Sequence, residues 1–362
     1  AAHVVKKHSN AKVLALYPAK ALIQDQIQKW NATLSPIAIS IAFIDGSVPQ
    51  NQREKLINQS SIILMTPDVA HAWLISKLDQ PKNRNFMSAL QLLILDEAHV
   101  YDGVFGTNMA YFLRRLQVVS NIKNIIVSTA TIGNPLVFME KITGCIFSLI
   151  DETQNGTGSK GRDLFCLTSD SDNKFDVYVK FIKALTKENI GRFIAFADSR
   201  KMVEMLVVSL HREDTTATQQ ENQELDASIN ASMDMDEEEL MQILPYRAGY
   251  EEQDRKDIQQ AIEKGELSGV VATSALELGI DIKDLDIVIL LGMPPSVKAF
   301  KQRIGRVGRH KHGFCLLIDD KGIISSSQEV FENYTNRPSE PNWLYLENRN
   351  IQYTNVLCAR SE

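Results

Sequence analysis

Two adjacent carboxylates follow an apolar run in the stretch LLILDEAHVYDG, residues 92–103. The run has the length of a buried strand, and Asp96 and Glu97 lie where it ends, with His99 two positions further on. A carboxylate in this position can hold Mg²⁺ through water, and a second one can orient a water molecule for in-line attack on a phosphate. Alternatively, the two acids begin a helix and complement its dipole. Four letters alone do not decide between these two interpretations.

A second segment that could act on phosphate is QRIGRVGR, residues 302–309. Arg306 and Arg309 are three positions apart, and we expect them on one side of a helix at its beginning, with Gly305 and Gly308 allowing the backbone to come close. A guanidinium group stabilises the charge that develops on a γ-phosphate during its transfer. Alternatively, the two arginines hold the phosphates of a nucleic acid.

Strand-length apolar runs, each followed by a helix-like pattern, alternate along the chain. The runs are KVLALYP, SIILMTP, LQLLILDE and NIIVSTAT in the first half and RFIAFADS, GVVATSA, DIVILLG and GFCLLIDD in the second. Continuous apolar strands that alternate with helices predict parallel sheets covered by helices on both faces. In such sheets a ligand lies outside the carboxyl ends of the strands, where the polar clusters of this sequence fall.

The polar, glycine-rich segment DETQNGTGSKGRD, residues 151–163, separates the two halves. We therefore predict an α/β fold with two doubly wound domains, residues 1–150 and 166–320, joined by a linker at residues 151–165. A chain of 362 residues is long enough for two cores of ordinary size.

The formal net charge of −6 is concentrated in residues 213–240, which contain ten acidic residues and no Lys or Arg. Without this segment the net charge would be +4, which is compatible with a nucleic-acid partner. A segment this polar buries too little apolar area to offset its ordering entropy, so we expect a disordered insertion in the second domain.

The spacing of the cysteines and the lengths of the apolar stretches argue against several classes of protein. Cys145, Cys166, Cys315 and Cys358 have no CxxC spacing, so we expect reduced thiols that mostly lie in the core rather than a zinc site or a disulfide framework. No stretch reaches the roughly 18 apolar residues of a membrane-spanning helix, and the first residues lack a signal-peptide pattern. We expect an intracellular protein without a membrane partner, cytoplasmic in a bacterium or nuclear in a eukaryote.

Seven short motifs follow one another along almost the whole chain: YPAKALIQDQ (17–26), TPD (66–68), DEAH (96–99), STAT (128–131), FADSR (196–200), ATSALELGIDI (272–282) and QRIGRVGR (302–309). In this order they resemble the motif series of the superfamily 2 DExH-box (DEAH) helicases. TATIGNP (129–135), PYRAGY (245–250), MPPSVKAFKQRIGRVGR and the closing NVLCARSE are similar to the MrfA-like and Lhr-like DNA helicases. The resemblance implies two tandem RecA-like domains that form the motor core of an ATP-dependent helicase or translocase.

The resemblance also implies roles around the nucleotide, with ATP and Mg²⁺ as cofactors. Asp96 resembles the carboxylate that holds Mg²⁺ through water, and Glu97 the one that orients the attacking water. Arg306 and Arg309 resemble arginine fingers, and His99 resembles a bridge between the two domains. Further residues expected near the nucleotide are Gly279, Asp281, Gln302, Thr129 and Thr131, the two threonines coupling the DEAH box to nucleic acid. From its residue type alone, Asp281 is equally an ordinary helix cap.

Nucleic-acid contacts are expected at loop and helix starts, where amides, hydroxyls and cations follow phosphates without reading sequence. At the positions where the family contacts nucleic acid, this sequence has Lys20, Thr66, Asp68, Ser199, Arg200 and Thr273. Each of these residues, taken alone, is more typical of a helix cap or a solvated side chain, and only their order along the chain favours a contact with nucleic acid. The expected partner is single-stranded or partly duplex nucleic acid, with DNA favoured, and the resemblance implies 3'-to-5' movement.

One feature of such enzymes is absent from the 362 residues, which contain no GKT or GKS for a glycine-rich phosphate loop. Lys160 in GTGSKGR is followed by Gly161, and that segment lies between the domains, so we do not interpret it as this loop. By resemblance we expect that the sequence starts after the loop, that this chain alone does not hydrolyse ATP, and that residues 321–362 begin a C-terminal accessory region. A non-hydrolysing nucleic-acid clamp and an RNA remodeller are the alternative functions.

Overall fold

The chain divides into two units, each with its own parallel sheet. The computed structural model describes residues 1–8, 10–130, 132–154, 156, 160–168, 173–211, 243–246, 252–273 and 285–361. Unit 1 consists of residues 1–155 and 338–362, and unit 2 consists of residues 156–337. Among the described residues, no helix has both the length and the apolar character needed to cross a membrane.

Unit 1 is built on five parallel strands in the order β2-β3-β1-β4-β5. The strands are β1 (Lys12–Leu16), β2 (Ile41–Ile44), β3 (Ile62–Met65), β4 (Leu90–Leu95) and β5 (Asn124–Val127). Leu14 of the central strand pairs with Ile63 on one side and Leu93 on the other. Because all five strands run in the same direction, the loops that follow them meet at one edge of the sheet.

Helices cover both faces of this sheet. They are α1 (Ala2–Lys7), α2 (Lys20–Leu34), α3 (Gln50–Gln59), α4 (Pro67–Val69), α5 (Pro81–Ala89), α6 (Gly103–Val118) and α7 (Pro135–Thr143), with a π-helical stretch at Ala70–Ile75 and short 3-10 turns at Ser35–Ile37, Ala98–Val100 and Glu152–Gln154. Leu14 belongs to a core that includes Phe138 of α7, and Val13 belongs to a second core with Ile23 of α2. The alternation of side chains along β1 thus supplies both cores.

The described residues of unit 2 form six parallel strands in the order β6-β11-β10-β7-β9-β8. They are β6 (Arg162–Leu167), β7 (Phe193–Phe196), β8 (Ile243–Tyr246), β9 (Gly269–Ala272), β10 (Ile287–Leu291) and β11 (Gly313–Ile318). The helices are α8 (Lys174–Lys187), α9 (Arg200–His211), α10 (Glu252–Lys264), α11 (Val297–Ile304) and α12 (Gln328–Asn336). Phe196 lies in a core with Phe300 of α11, and Ala195 lies in another with Ile182 of α8.

The predicted α/β class with two parallel sheets is confirmed, and all eight apolar runs contain strands. The sequence interpretation missed β2, β6 and β8, which are edge strands. Strand β6 overlaps the predicted linker, because its alternately exposed residues include Arg162 and Asp163 and do not form an apolar run. The acidic segment 213–240 lies outside the described residues.

The C-terminal residues belong to two different units, which differs from the predicted accessory region at residues 321–362. Residues 321–337, with α12, remain in unit 2, whereas residues 338–362 return to unit 1. The latter consist of an extended segment, residues 338–348, which we call the strap, followed by α13 (Arg349–Ser361). Leu344 and Leu346 of the strap pack against the first core of unit 1, so the strap is held by apolar burial.

The four cysteines are all free thiols, but the prediction that they mostly lie in the core is wrong. Cys315 is buried, and Cys145, Cys166 and Cys358 are half-buried. Burial raises the pKa of the Cys315 thiol to about 12. Such a thiol stays protonated and is therefore a poor nucleophile at neutral pH.

Candidate functional site

The predicted site in unit 1 lies where four strands end together. The pairing of the strands continues beyond them, because the amide of Tyr17 donates to the Met65 carbonyl at 3.0 Å and the amide of Asp96 donates to the Leu16 carbonyl at 3.0 Å. The amide of Ser128 donates to the Leu95 carbonyl at 2.8 Å. The motifs YPAKAL, TPD, DEAH and STAT therefore begin side by side at this edge.

Glu97 has a backbone conformation that a residue with a side chain rarely adopts. Its φ is +48° and its ψ is +44°, which is the left-handed region. This conformation costs roughly 1–2 kcal/mol in a residue with a Cβ, and it persists only where neighbouring bonds enforce it. The Glu97 amide donates to Oδ1 of Asp96 at 3.0 Å, and the Ala98 amide donates to the Ser128 carbonyl at 3.0 Å. The strained position therefore coincides with the carboxylate expected to orient water.

His99 connects the DEAH loop to the loop after β5. Its ring is only 3% exposed, and Nδ1 accepts a hydrogen bond from the Ala130 amide at 3.2 Å. A Glu97 carboxylate oxygen also lies 3.3 Å from this nitrogen. An ion pair there would need a proton on Nδ1, whereas a backbone N–H can only donate. We therefore assign Nδ1 as the acceptor from Ala130, which places the proton of the neutral ring on Nε2.

Two buried tyrosines flank Asp96 and were not identified from the sequence. Burial, with a further contribution from the Asp96 carboxylate, raises the pKa of Tyr17 to about 12. The same two causes, in the same order, raise the pKa of Tyr101 above its ordinary value. The Tyr17 hydroxyl accepts a hydrogen bond of 3.1 Å from the indole Nε1 of Trp30. Both phenols therefore stay protonated and add no negative charge next to Asp96.

The residues around Asp96 fit Mg²⁺ only as a partly hydrated ion. Within the described part of the chain, no three His, Cys, Asp or Glu side chains are grouped in a way that could hold a metal. Mg²⁺ usually binds through one or two carboxylates and takes its remaining ligands from water and phosphate oxygens. A single half-buried carboxylate at Asp96 agrees with that mode of binding.

Thr129 lies in the loop after β5, and its hydroxyl donates to the carbonyl of Ala130 at 3.0 Å. The adjacent Ala130 amide is the one bound to His99. Thr129 is thus adjacent to the residue whose amide contacts the DEAH box, and its coupling role stays a prediction. Thr131, Gly279 and Asp281, which were also expected near the nucleotide, lie outside the described residues.

The predicted arginine pair in unit 2 follows a helix instead of beginning one, so that part of the prediction is wrong. Helix α11 ends at Ile304, and Arg306 and Arg309 lie in the turn after it, whereas Gln302 is still helical. Arg306 is half-buried, and the exposed Arg309 donates from Nε to the Gly305 carbonyl at 3.0 Å. A serine caps α11, and the apolar face of the helix packs on the core, so together they fix the position of the helix. The turn that follows the helix carries both guanidinium groups.

The turn that carries these arginines is fixed by the residues just before β6. Gly308 has a φ of +80°, and a Cβ there would lie 2.6 Å from the carbonyl oxygen of Gly161. The Lys160 amide donates to the Gly308 carbonyl at 3.0 Å, and Nη1 of Arg162 donates to the Ile304 carbonyl at 2.7 Å. Glycine at 308 is therefore required by conformation and by space.

Arg303 is the most buried cation of this segment, at 3% exposure. Its guanidinium lies over the ring of Phe196, 5.3 Å from the centroid, and Nη1 is 4.0 Å from Oδ1 of Asp198. The sequence interpretation left its role open. The structure shows that it joins the QRIGRVGR segment to the FADSR motif within unit 2.

The residues predicted to contact nucleic acid follow neighbouring strands in each unit. In unit 1, the exposed Lys20 begins α2, and the buried Thr66 and exposed Asp68 follow β3. In unit 2, the Ser199 hydroxyl accepts from the Met202 amide at 3.1 Å and so caps α9, which begins with the exposed Arg200. Thr273 is buried after β9 and donates from its amide to the Tyr246 carbonyl at 3.3 Å. Ser199 therefore acts as a helix cap, and its predicted contact with nucleic acid stays a prediction.

Comparisons with known proteins agree with the motif series. Residues 1–137 match the family model "DEAD/DEAH box helicase", and residues 173–311 match "Helicase conserved C-terminal domain". The chain is 34% identical over 81% of its length to the ATP-dependent helicase hrq1 of Schizosaccharomyces pombe, and 29% identical over 97% to the uncharacterized ATP-dependent helicase YprA of Bacillus subtilis. It spans 28% and 46% of these two relatives.

One solved structure is similar to this chain over almost its whole length. The DUF1998 helicase MrfA bound to DNA is similar with a TM-score of 0.82 and 27% sequence identity, over 99% of this chain and 46% of that one. A Mycobacterium smegmatis helicase Lhr bound to single-stranded DNA and AMP-PNP shares the fold, with a TM-score of 0.69 at 22% identity. The present chain therefore corresponds to less than half of these larger proteins.

Proposed function

Because the chain belongs to the superfamily 2 DExH-box helicases, whose DEAD/DEAH-box and C-terminal helicase domains it carries, we propose that it forms the motor core of an ATP-dependent DNA helicase or translocase. The observation that supports this most directly is the DEAH loop, where a strained Glu97 lies beside Asp96 and His99 links the loop to Ala130. The DNA-bound relative MrfA supports DNA as the partner. The 3'-to-5' direction is part of the proposal and is tested separately below.

Each candidate site residue would have a separate role in the reaction. Asp96 would hold Mg²⁺ through water, and the bound ion would neutralise charge on the β- and γ-phosphates of ATP. Glu97 would orient the attacking water in line with the γ-phosphate. Arg306 and Arg309 would stabilise the charge that develops in the transition state, an effect of about 10³ to 10⁵ in other phosphoryl-transfer enzymes.

His99 and Thr129 would connect hydrolysis to nucleic acid. The Ala130 amide that His99 binds belongs to the same loop as Thr129, so a shift of the DEAH loop is transmitted to the STAT segment. Lys20, Thr66 and Asp68 in unit 1, and Ser199, Arg200 and Thr273 in unit 2, would follow the phosphates of one DNA strand. Such contacts give affinity without sequence preference.

The test is the substitution Glu97→Gln in a form of the protein that carries a glycine-rich phosphate loop. The amide keeps the shape of the side chain but loses the negative charge, so ATP binding should persist while DNA-stimulated hydrolysis falls by about 100-fold or more. The matched control is Glu140→Gln on the exposed surface of α7. Turnover by Glu97→Gln within a few-fold of wild type would contradict the assignment.

Three further measurements complete the test. The 362 residues alone, which contain no GKT or GKS, should hydrolyse ATP negligibly even with DNA present. Strand displacement from duplexes with a 3' or a 5' overhang decides the direction, and single-stranded RNA in place of DNA decides the substrate class. Equal stimulation by RNA would make the protein an RNA remodeller, and DNA binding without any hydrolysis by a form that carries the phosphate loop would make it a clamp.

A further inference from the structure

The strap, residues 338–348, contacts both loops that carry the candidate nucleotide-site residues of unit 1. Nδ2 of Asn342 donates to the carbonyl of His99 at 2.8 Å, in the DEAH loop. The Gly133 amide donates to the Glu340 carbonyl at 3.4 Å, just after the STAT segment. Asn342 is 3% exposed, so its contact is shielded from water. The strap therefore connects two loops that are already joined by the bonds from Ala98 to Ser128 and from Ala130 to His99.

A second anchor of the strap lies at the end of the DEAH loop. Oδ1 of Asp102 accepts hydrogen bonds from the amides of Trp343, at 2.7 Å, and Gly103, at 2.8 Å. The Gly103 amide also donates to the Trp343 carbonyl at 2.8 Å. Beyond it, the Tyr345 amide donates to the Thr107 hydroxyl at 2.8 Å. One carboxylate thus caps α6 and holds the strap at the same time.

The backbone of the strap packs closely against Gly133. A Cβ at this position would overlap the carbonyl oxygen of Ser339. Glycine is therefore needed here because backbone lies where a side chain would begin. The strap fits against the loop after β5 without space for any larger residue.

The contacts of the strap begin two residues after the strained Glu97. A left-handed residue is kept in place only if the chain on both sides of it is fixed. Before Glu97, the end of β4 fixes the chain. After Glu97, the chain is fixed by the bond from Ala98 to Ser128, by His99 and by the strap at His99 and Asp102.

We propose that the strap is a positioning element of the ATP site, with Asn342 and Asp102 as positioning residues that hold the DEAH loop so that Glu97 is aimed at the attacking water. This inference rests on the proposed function. Neither residue touches the nucleotide, and both act through the carbonyl of His99 and the turn at Gly103. A change that displaces residues 338–348 would therefore lower the rate of ATP hydrolysis without releasing ATP.

The test is Asn342→Leu in a form of the protein that carries a glycine-rich phosphate loop, which removes the donor to His99 and keeps the side chain's volume. We expect kcat for DNA-stimulated hydrolysis to fall by about 10- to 100-fold, because small misplacements of a reacting group have effects of this size. KM for ATP, and the Kd of a fluorescent ATP analogue, should stay close to wild type. A purely structural role would instead lower the amount of folded protein and leave kcat per folded molecule unchanged.

The matched control is Asn355→Leu, since Asn355 is also buried, at 7% exposure, and lies in the same C-terminal segment. Its Nδ2 donates to Asn108 of α6 and to the Ile351 carbonyl, and neither lies in the DEAH loop. Turnover of Asn355→Leu should remain near wild type. An equal loss in both variants would overturn the proposal, because it would show that any loosening of the segment has the same effect.

A second pair of variants tests the proposal independently of how Asn342→Leu folds. Asp102→Asn keeps Oδ1 as an acceptor and should retain turnover, whereas Asp102→Ala should lose it to the extent of Asn342→Leu. Equal activity of the two Asp102 variants would overturn the proposal. If Glu97→Gln retains hydrolysis, the proposed function itself fails. If Glu97→Gln is inactive but Asn342→Leu turns over like wild type, only the strap proposal fails.

Discussion

Asn342 donates a buried hydrogen bond of 2.8 Å to the carbonyl of His99, although 243 positions separate the two residues in the chain. The donor belongs to the strap, and the acceptor belongs to the DEAH loop between β4 and α6. Because the acceptor is a backbone atom, this bond sets the position of the loop itself and not of one side chain. The conformation around Glu97 thus depends on residues from both ends of the chain.

The substitution His99→Ala should destabilise unit 1. It removes the acceptor of the Ala130 amide and leaves a cavity in a buried position, which together cost about 1–3 kcal/mol or more in free energy of unfolding. Denaturant unfolding measures the change. His3→Ala on the exposed face of α1 is the control and should unfold like wild type. Equal stability of His99→Ala and wild type would show that the Ala130 contact contributes nothing.

Tyr101→Phe should leave the free energy of unfolding unchanged or raise it. The Tyr101 hydroxyl is fully buried and has no hydrogen-bond partner among the described residues, so its removal relieves a desolvation cost. Tyr17→Phe is the matched comparison, because its hydroxyl accepts from Trp30 and its loss should cost about 1 kcal/mol. A large destabilisation by Tyr101→Phe would indicate a partner for that hydroxyl, such as a bound water.

Asp319 should make the stability of unit 2 depend on pH in the acid range. Burial alone raises the pKa of this carboxyl, but hydrogen bonds from Ser325 and Ile324 outweigh burial and hold the pKa below its ordinary value of 3.8. A lowered folded-state pKa means that the contribution is present above pH 3.8 and is lost as the pH falls through the folded-state value. Asp319→Asn should abolish this part of the pH dependence when denaturant unfolding is measured from neutral pH down to well below pH 3.8. An unchanged pH profile would exclude Asp319 as its source.

In a form of the protein that carries a glycine-rich phosphate loop, deletion of residues 213–240 should leave ATP hydrolysis nearly unchanged and tighten binding of single-stranded DNA at low salt. The deletion removes ten acidic residues and changes the formal net charge of the chain from −6 to +4. A tethered acidic segment competes with DNA phosphates for basic residues, and added salt screens that competition. Fluorescence anisotropy at two salt concentrations measures the effect. Unchanged affinity would show that the segment does not compete with DNA, and loss of folding would show that it is an ordered part of unit 2.

The sequence alone was sufficient for the local parts of the fold and for the family. Eight apolar runs predicted strands, because a parallel strand covered on both faces must be apolar throughout. The order of seven motifs predicted the DExH-box family, because each motif is a short continuous segment. The edge strands β2, β6 and β8 were missed, since an edge strand is paired on one side only and its side chains are less uniformly buried.

Only the tertiary structure decided how distant segments fix the site. The residue type of Glu97 disfavours the left-handed conformation that this residue adopts. Hydrogen bonds of the loop to Ser128 and among neighbouring loop residues stabilise it instead. The position of Arg306 and Arg309 after α11 follows from where that helix ends against its core. The strap, residues 338–348, returns to unit 1 because it buries Leu344 and Leu346 and satisfies backbone groups there. These are non-local contacts, and a local pattern of residues carries no signal for them.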